Sequence, residues 1–296
     1  MPTFAKLQIG TTWELGSVPY LPAVMNVAEH MERLRAEQLD GVMLGWTLGG
    51  YPSPNLETAA RMLRGEDAET ALRATATRRF GATHAEGVLR AWREFSEGLK
   101  EYPYDGAVVY NSPHHVGPAN LLWERPTGYR ATMVGIPYDD LTRWRGPYPA
   151  EIFANQFTLV ADGFDRGLDE LRGEREKADK FAAALQREES VGEAAAILFR
   201  SAASQTRFVL ARDRLATLSS QAAAESTLRE IEALLQAEIK LAARLYAVQS
   251  RDSRIGFEAT NHYFFTPMDL AEKVLNCRDL LDRWLPAERA RVANLP

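Results

Sequence analysis

The chain has 296 residues, 46% hydrophobic and 25% charged, with 35 Lys and Arg against 40 Asp and Glu for a net charge of -5. This composition fits one large domain or two ordinary ones around a buried core, and excludes a disordered tail, a fibrous repeat and a staple-dependent miniprotein. The acidic balance argues against a nucleic-acid footprint or a polybasic membrane surface. No stretch approaches the roughly 20 apolar residues of a membrane span. The single Cys277 cannot form an intrachain disulfide, and the start MPTFAKLQIG lacks the basic and apolar regions of a secretory signal. As written, the chain is expected to be cytoplasmic, an expectation that a further amino-terminal region would change. Its oligomeric state is left open.

Residues 4–10 alternate, with Ala5, Leu7 and Ile9 opposite Lys6 and Gln8, which predicts a strand ending at Thr11-Thr12-Trp13-Glu14. Val24, Val27, Met31 and Leu34 then recur at helical spacing, and Gly41–Trp46 is an apolar run of the kind buried on both faces of a parallel sheet. The region 1–65 therefore predicts two βα units, with strands near 5–10 and 41–46 parallel and adjacent. Glu66 to about Lys100 is helical, with Ala71, Leu72, Phe80, Val88, Leu89, Trp92 and Phe95 as its buried face. Residues 101–150 hold six of the ten tyrosines and seven of the fifteen prolines, a density that predicts an ordered loop surface and completes a second region over 66–150.

The third region, 151–296, is nearly all helix to about Ser250. Phe153, Phe157, Val160, Phe164, Leu168 and Leu171 form one apolar stripe, and Leu228, Ile231, Leu235, Ile239, Ala242 and Leu245 form another. The charges over Arg172–Glu189 and the alanine runs at 194–196 and 222–224 predict solvated or closely packed helices. A polar aromatic loop at 255–265 precedes a last helix over Pro267–Trp284. The fold class expected is α-rich α/β.

Ligands of parallel α/β architectures sit beyond the carboxyl ends of the strands. Trp13, Glu14, Trp46 and Tyr51 follow those ends here. A carboxylate can move a proton or attack an anomeric carbon, and indole and phenol faces stack on sugar rings. Glu14 is thus the candidate acid/base or nucleophile, with Trp13, Trp46 and Tyr51 as stacking residues. The competing readings are core plugs and a helix cap or ion-pair partner. His114 and His115, in a proline-bounded loop, are either hydrogen-bonding groups for a polyol or incidental. Being adjacent, they are poor joint ligands for one metal, and no metal site is expected. Asp140 is a helix cap or a ligand for sugar hydroxyls. Glu258, Asn261 and His262 either fold back over the same surface or satisfy one another in a turn. No phosphate loop, dinucleotide fingerprint or nucleophile elbow is present, so no cofactor is implied. Cys277 lies on an amphipathic helix as a buried thiol.

The segments Thr12–Pro22, Leu44–Asn55 and Phe257–Tyr263 resemble the carboxy-terminal part of bacterial TIM-barrel, glycoside-hydrolase-like proteins, in which the last barrel strands run into a large helical domain. The His114–Pro118 loop is loosely similar to the carboxy-terminal domain of α-glucuronidases. The resemblance spans about residues 5–148 and 250–285. It implies a partial (β/α) barrel-like segment followed by a large helical domain, carboxylate acid/base chemistry, and a carbohydrate as the partner. A complete barrel needs eight βα units, and this chain supplies two. The resemblance therefore implies an internal start, a partial chain, or a partner chain that completes the sheet. It also predicts exposed apolar surface along Leu7, Ile9, Val42 and Leu44. A non-catalytic carbohydrate-binding protein and a helical interaction module with a degenerate barrel remnant are the alternatives.

Overall fold

The structure, a computed structural model, describes residues 1–37, 39–45, 51–177, 180–258 and 263–295, with Glu258 described through its backbone alone. It is 65% helical and 3% strand, so the chain is α-rich. Two compact units form. The first comprises Met1–Tyr102 and Leu159–Ala196 together with Phe257 and Glu258; the second comprises Pro103–Thr158, Ile197–Gly256 and the described residues from Tyr263 onward. The units are not consecutive stretches, because α7 (Ala150–Arg175) and α8 (Ala182–Leu215) each contribute to both.

In the first unit, β1 (Phe4–Lys6) and β2 (Gly41–Met43) pair in parallel, with Phe4 opposite Gly41 and Lys6 opposite Met43. The Leu7 and Ile9 amides extend the pairing by donating to Met43 and Leu44 at 2.7 and 3.1 Å. The adjacency expected from sequence is present in strands shorter than expected. Helix α1 (Val24–Ala36) joins them, burying Val24, Val27, Ala28 and Met31. Leu7 and Ile9 pack into one cluster with Val27, Met31, Ala59, Met62 and Ala71, drawn from α1, α2 (Pro54–Leu63) and α3 (Ala68–Phe80). The expected exposure of Leu7 and Ile9 is therefore corrected: three helices cover that face. Val42 and Leu44 are half-buried, and the exposed apolar residues of the strands are Phe4 at 69% and Met43 at 55%.

The helical stretch expected over 66–100 is two helices. Gly81, at φ 85°, ends α3, and α4 (Ala85–Leu99) begins after His84. A side chain at that φ would be strained, so glycine is the residue that allows the break. Helix α4 buries Val88, Trp92 and Phe95. Phe95 stacks on Phe164 of α7 with ring centroids 5.0 Å apart. The two helices cross with almost no separation: a Cβ on Gly98 would lie 2.8 Å from the Gly163 Cα. Of the two readings of the charged run, solvated or closely packed, three of its acids take the second: Glu174, Glu188 and Glu189 are buried. The Glu188 carboxylate accepts from Trp92 Nε1 at 2.8 Å and Tyr20 Oη at 2.7 Å, and Glu174 meets His84 Nδ1 at 3.0 Å.

The second unit contains α5 (Gly106–Asn111), two 3-10 turns at Pro113–His115 and Gly117–Ala119, and α6 (Leu141–Trp144). To these it adds the first turns of α7, the later part of α8, α9 (Gln221–Arg251), α10 (Pro267–Asp279), a π turn at Leu280–Trp284 and α11 (Leu285–Val292). The expected stripe of α9 is buried at Leu228, Ile231, Leu235, Ala242 and Leu245, but the core position between them is Glu238 rather than Ile239. Its partner is Lys273 of α10, whose Nζ lies 3.0 Å from Glu238 Oε2, with both side chains at 0% exposure. Lys273 also donates to Asn120 O at 2.6 Å, and Ser201 Oγ donates to Glu238 at 3.0 Å. Gln205 Nε2 donates to Ser201 Oγ and Gly117 O, both at 2.8 Å, while Asn120 Nδ2 donates to Gln205 Oε1 at 2.7 Å and Tyr138 O at 2.6 Å. The last helix passes Trp284 because the π turn widens the backbone just before Pro286, which has no N–H to continue the helical ladder.

Two outcomes follow from this packing. Gly163→Ala inserts a methyl group into the α4–α7 contact and is expected to destabilise the chain by about 1–3 kcal/mol in urea unfolding. Lys273→Met leaves Glu238 buried and unpaired and is expected to cost about 3–5 kcal/mol, whereas Lys273→Met with Glu238→Leu recovers most of that loss. A single variant as stable as the parent would show that the pair does not anchor α9 to α10.

Candidate functional site

The first strand runs into a loop that stays buried without regular structure: Leu15, Ser17, Val18 and Leu21 are all inaccessible. Its shape is fixed from inside. Thr11 takes φ 54°, a left-handed conformation costly for a β-branched residue. The Leu15 amide donates to Thr11 O at 3.2 Å and the Leu21 amide returns to Gly10 O at 3.0 Å. Asn55, fully buried near the start of α2, closes the loop at its base. Its Nδ2 donates to Ile9 O at 2.7 Å and to Leu21 O at 2.8 Å. Helix α2 can hold Asn55 there because Ser53 Oγ caps the Leu56 amide and Pro54 occupies its first turn.

Glu14 lies in this loop. It is half-buried as a residue, but its Oε2 is shielded from solvent and has no hydrogen-bond partner among the described residues. Burial raises its pKa above the ordinary 4.5, opposed by its own backbone N–H, so the carboxyl is biased toward its neutral form. Four further side chains of the same strand and loop base carry shielded polar atoms with no partner among the described residues: both amide atoms of Gln8, Thr12 Oγ1, Ser17 Oγ and Asn55 Oδ1. Native interiors leave few such atoms, and each costs about 1–3 kcal/mol. Their concentration after β1 marks the loop. Trp13, half-buried beside Glu14, has Lys6 Nζ 4.5 Å from its ring centroid. Tyr51 is half-buried just before α2.

Trp46, Asn261 and His262 are outside the described residues, as is the side chain of Glu258. His114 and His115 belong to the second unit, where they are 0% and 1% exposed, so the open polyol-binding loop expected of them is corrected to a core turn. The reason is aromatic packing. His115 stacks on Tyr263 at 3.9 Å and 2°, His114 lies 5.3 Å from Phe157, and the two imidazoles are 3.9 Å apart. Their polar atoms are used internally: His114 Nδ1 pairs with Ser112 Oγ, and His115 Nε2 donates to Val109 O, both at 2.6 Å. Asp140 caps α6, accepting from the Arg143 amide at 3.3 Å with Oδ1 and from the Ala131 amide at 3.0 Å with Oδ2. Of its two readings the structure shows the cap.

As site residues, sequence reading missed Gln8, Thr12, Ser17 and Asn55, which look like ordinary strand, loop and helix-start residues. An asparagine directly after a proline at a helix start was the one signal available for Asn55. Among the described residues, no group of three or more His, Cys, Asp or Glu is placed to hold a metal ion, and no helix is long and apolar enough to cross a membrane. Burial pushes the Cys277 thiol up to about 12, which leaves it un-ionised and unreactive. No family model, curated protein or solved structure matches the chain.

Buried His115 sets an acid limit. Burial lowers the His115 pKa from 6.5 to about 4, against the Val109 hydrogen bond that opposes the shift. The unfolded chain therefore takes up a proton that the folded chain refuses. Stability is complete above pH 6.5 and is lost as pH falls toward about 4, by about 3 kcal/mol in all. Urea unfolding measured across that window is expected to show this slope, and His115→Phe is expected to flatten it; an unchanged slope would assign the acid sensitivity to other groups.

Proposed function

We propose that the chain is a glycoside-hydrolase-like protein that acts on a carbohydrate, with Glu14 as its general acid. In this reading β1–α1–β2–α2 forms two units of a partial, barrel-like sheet, and the loop after β1 is the reacting end. The single observation that carries it is a carboxyl whose pKa burial raises, on a loop that also holds several polar atoms with no partner among the described residues. A protonated carboxyl is what cleavage of a glycosidic bond requires first. The proton passes from Glu14 to the leaving-group oxygen as the bond to the anomeric carbon breaks, and the carboxylate takes a proton back from the attacking water. Trp13 and Tyr51, with Trp46, supply the stacking faces in this proposal. His114, His115 and Asp140 take no part, because their polar atoms are committed to the core and to a cap.

The test is cleavage of aryl glycosides with leaving groups of different acidity. General-acid help matters most when the departing phenol is a weak acid. Glu14→Gln is therefore expected to lower turnover about 10²–10⁴-fold on phenyl glycosides, and far less on dinitrophenyl ones. Stability should respond too. Because the folded pKa lies above 4.5, the unfolded chain ionises first as pH rises, and stability present below 4.5 is lost through the folded value. Glu14→Gln is expected to remove that decline. Equal turnover by parent and variant on both substrates would take Glu14 out of the mechanism, and saccharide binding without cleavage by the parent would leave a binding protein.

A further inference from the structure

Helix α10 is apolar on two faces, and the second unit covers only one of them. Leu270, Lys273 and Cys277 point inward, and Asn276 clamps the helix to Leu122 through two hydrogen bonds of 2.9 Å. On the other side Met268 and Leu275 are 75% and 70% exposed, more than any other large hydrophobic residue described except Met1. They stand two turns apart with Ala271 between them, the alternating steps of three and four that make a helix seam. Phe264, 58% exposed just before the helix, extends the apolar surface. Long apolar side chains held on a rigid helix in contact with water mark an interaction face.

The charges on this face say what covers it. Glu272 and Arg278 lie three residues before and three after Leu275, both exposed and both without a hydrogen-bond or ion-pair partner among the described residues. Neighbouring charges are already used: Asp269 accepts from the Thr266 amide at 2.6 Å, and Asp279 pairs with Arg283 at 2.7 Å. Three residues advance a helix by about 4.5 Å and leave it about 60° short of a full turn, so Glu272 and Arg278 flank Leu275 on opposite sides at equal steps. We propose that a second copy of this chain docks here, α10 against α10 and antiparallel, about a two-fold axis through Leu275. That axis reverses the helix and exchanges its flanks. Leu275 then meets Leu275, and Glu272 of each copy meets Arg278 of the other, which is the self-complementarity of an isologous contact. A parallel pairing would set each residue level with its own copy, so neither charge would meet its opposite. Ala271 lets the two helices approach closely, and the clamps on the inner face mean that little order is lost on docking. One helical face is smaller than the roughly 800 Å² per partner of a standard interface, so the dimer is weak and depends on concentration.

The experiment is analytical ultracentrifugation of the full chain from about 10 μM to about 1 mM, with thermal unfolding of each variant as a check on folding. The parent is expected to pass from monomer to dimer within that range, and Leu275→Asp to stay monomeric with its melting temperature at low concentration unchanged. Glu272→Arg and Arg278→Glu should each weaken self-association at least about tenfold, since each sets like charges opposite one another. Mixing these two single variants should restore the dimer, because one copy then carries two arginines and the other two glutamates. The double reversal, Glu272→Arg with Arg278→Glu, should restore it within one chain. A parent that is monomeric at about 1 mM overturns the inference. So does a dimer that Leu275→Asp leaves intact, or a mixture of the two charge variants that associates no better than either alone.

Discussion

The buried ion pair between Lys273 and Glu238 is the constraint around which the second unit is organised. Two opposite charges at zero exposure are tolerable only when attraction and hydrogen bonds replace their lost hydration. Here the replacement is partly backbone. Lys273 spends one donor on Asn120 O, and Gln205 reaches the neighbouring turn at Gly117 O. Removing Lys273 alone would therefore loosen more than two helices. The turns at Pro113–Ala119 are held against α8 and α10 through this network, and His114 and His115 are buried in turns that it fixes. A proline- and tyrosine-rich segment that resists regular structure is thereby ordered through its backbone carbonyls.

The first unit solves the same problem with less internal satisfaction. Asn55 ties the end of β1 to Leu21 by two hydrogen bonds from one nitrogen, leaving its own Oδ1 unpaired. Glu188 engages both carboxylate oxygens, so that polar group is structural. Gln8, Thr12, Glu14 and Ser17 contrast with it: each retains at least one shielded atom that nothing in the described protein pairs. Shielded atoms without a partner among the described residues occur in both units, at Asn120 Oδ1, Ser204 Oγ, Glu238 Oε1 and Gln249 Oε1 in the second, but in the first most of them lie on or against the one segment that follows β1. Open polarity is costly for a fold and useful for a site.

Helical periodicity made α1, α4 and the first stripe of α7 legible, since apolar residues three and four apart can share only one face. It failed where a charge took a core position. Reading α9 by hydrophobicity selects Ile239 and passes over Glu238, because a paired carboxylate is invisible until its lysine, far along the chain, is known. The break at Gly81 was missed for a local reason: a glycine within a helical pattern signals a stop only when its φ turns positive. For the site, Glu14 was legible as a carboxylate after a strand. Asn55 and Gln8 were not, since an amide side chain has no pattern of its own and gains meaning only from which atoms it meets. His114 and His115 invited a functional reading by their rarity, and aromatic neighbours from Phe157 to Tyr263 supplied a structural one.

The proton affinity of Glu14 and the order of its loop are one property. A carboxyl holds its proton above the ordinary range only while water is kept away, and Glu14 sits on a loop whose Leu15, Val18 and Leu21 are buried because the loop is closed. The closure depends on Thr11 at positive φ and on the two hydrogen bonds from Asn55, one an unfavourable conformation and the other a rigid clamp. A two-stranded parallel pair is too small to impose this order by itself. The helices on its covered face supply rigidity through Asn55 of α2. An acid on a mobile loop would be solvated and would keep its ordinary proton affinity. The same acid on this clamped loop holds its proton to higher pH, and the unfavourable conformation at Thr11 is part of what that shift costs.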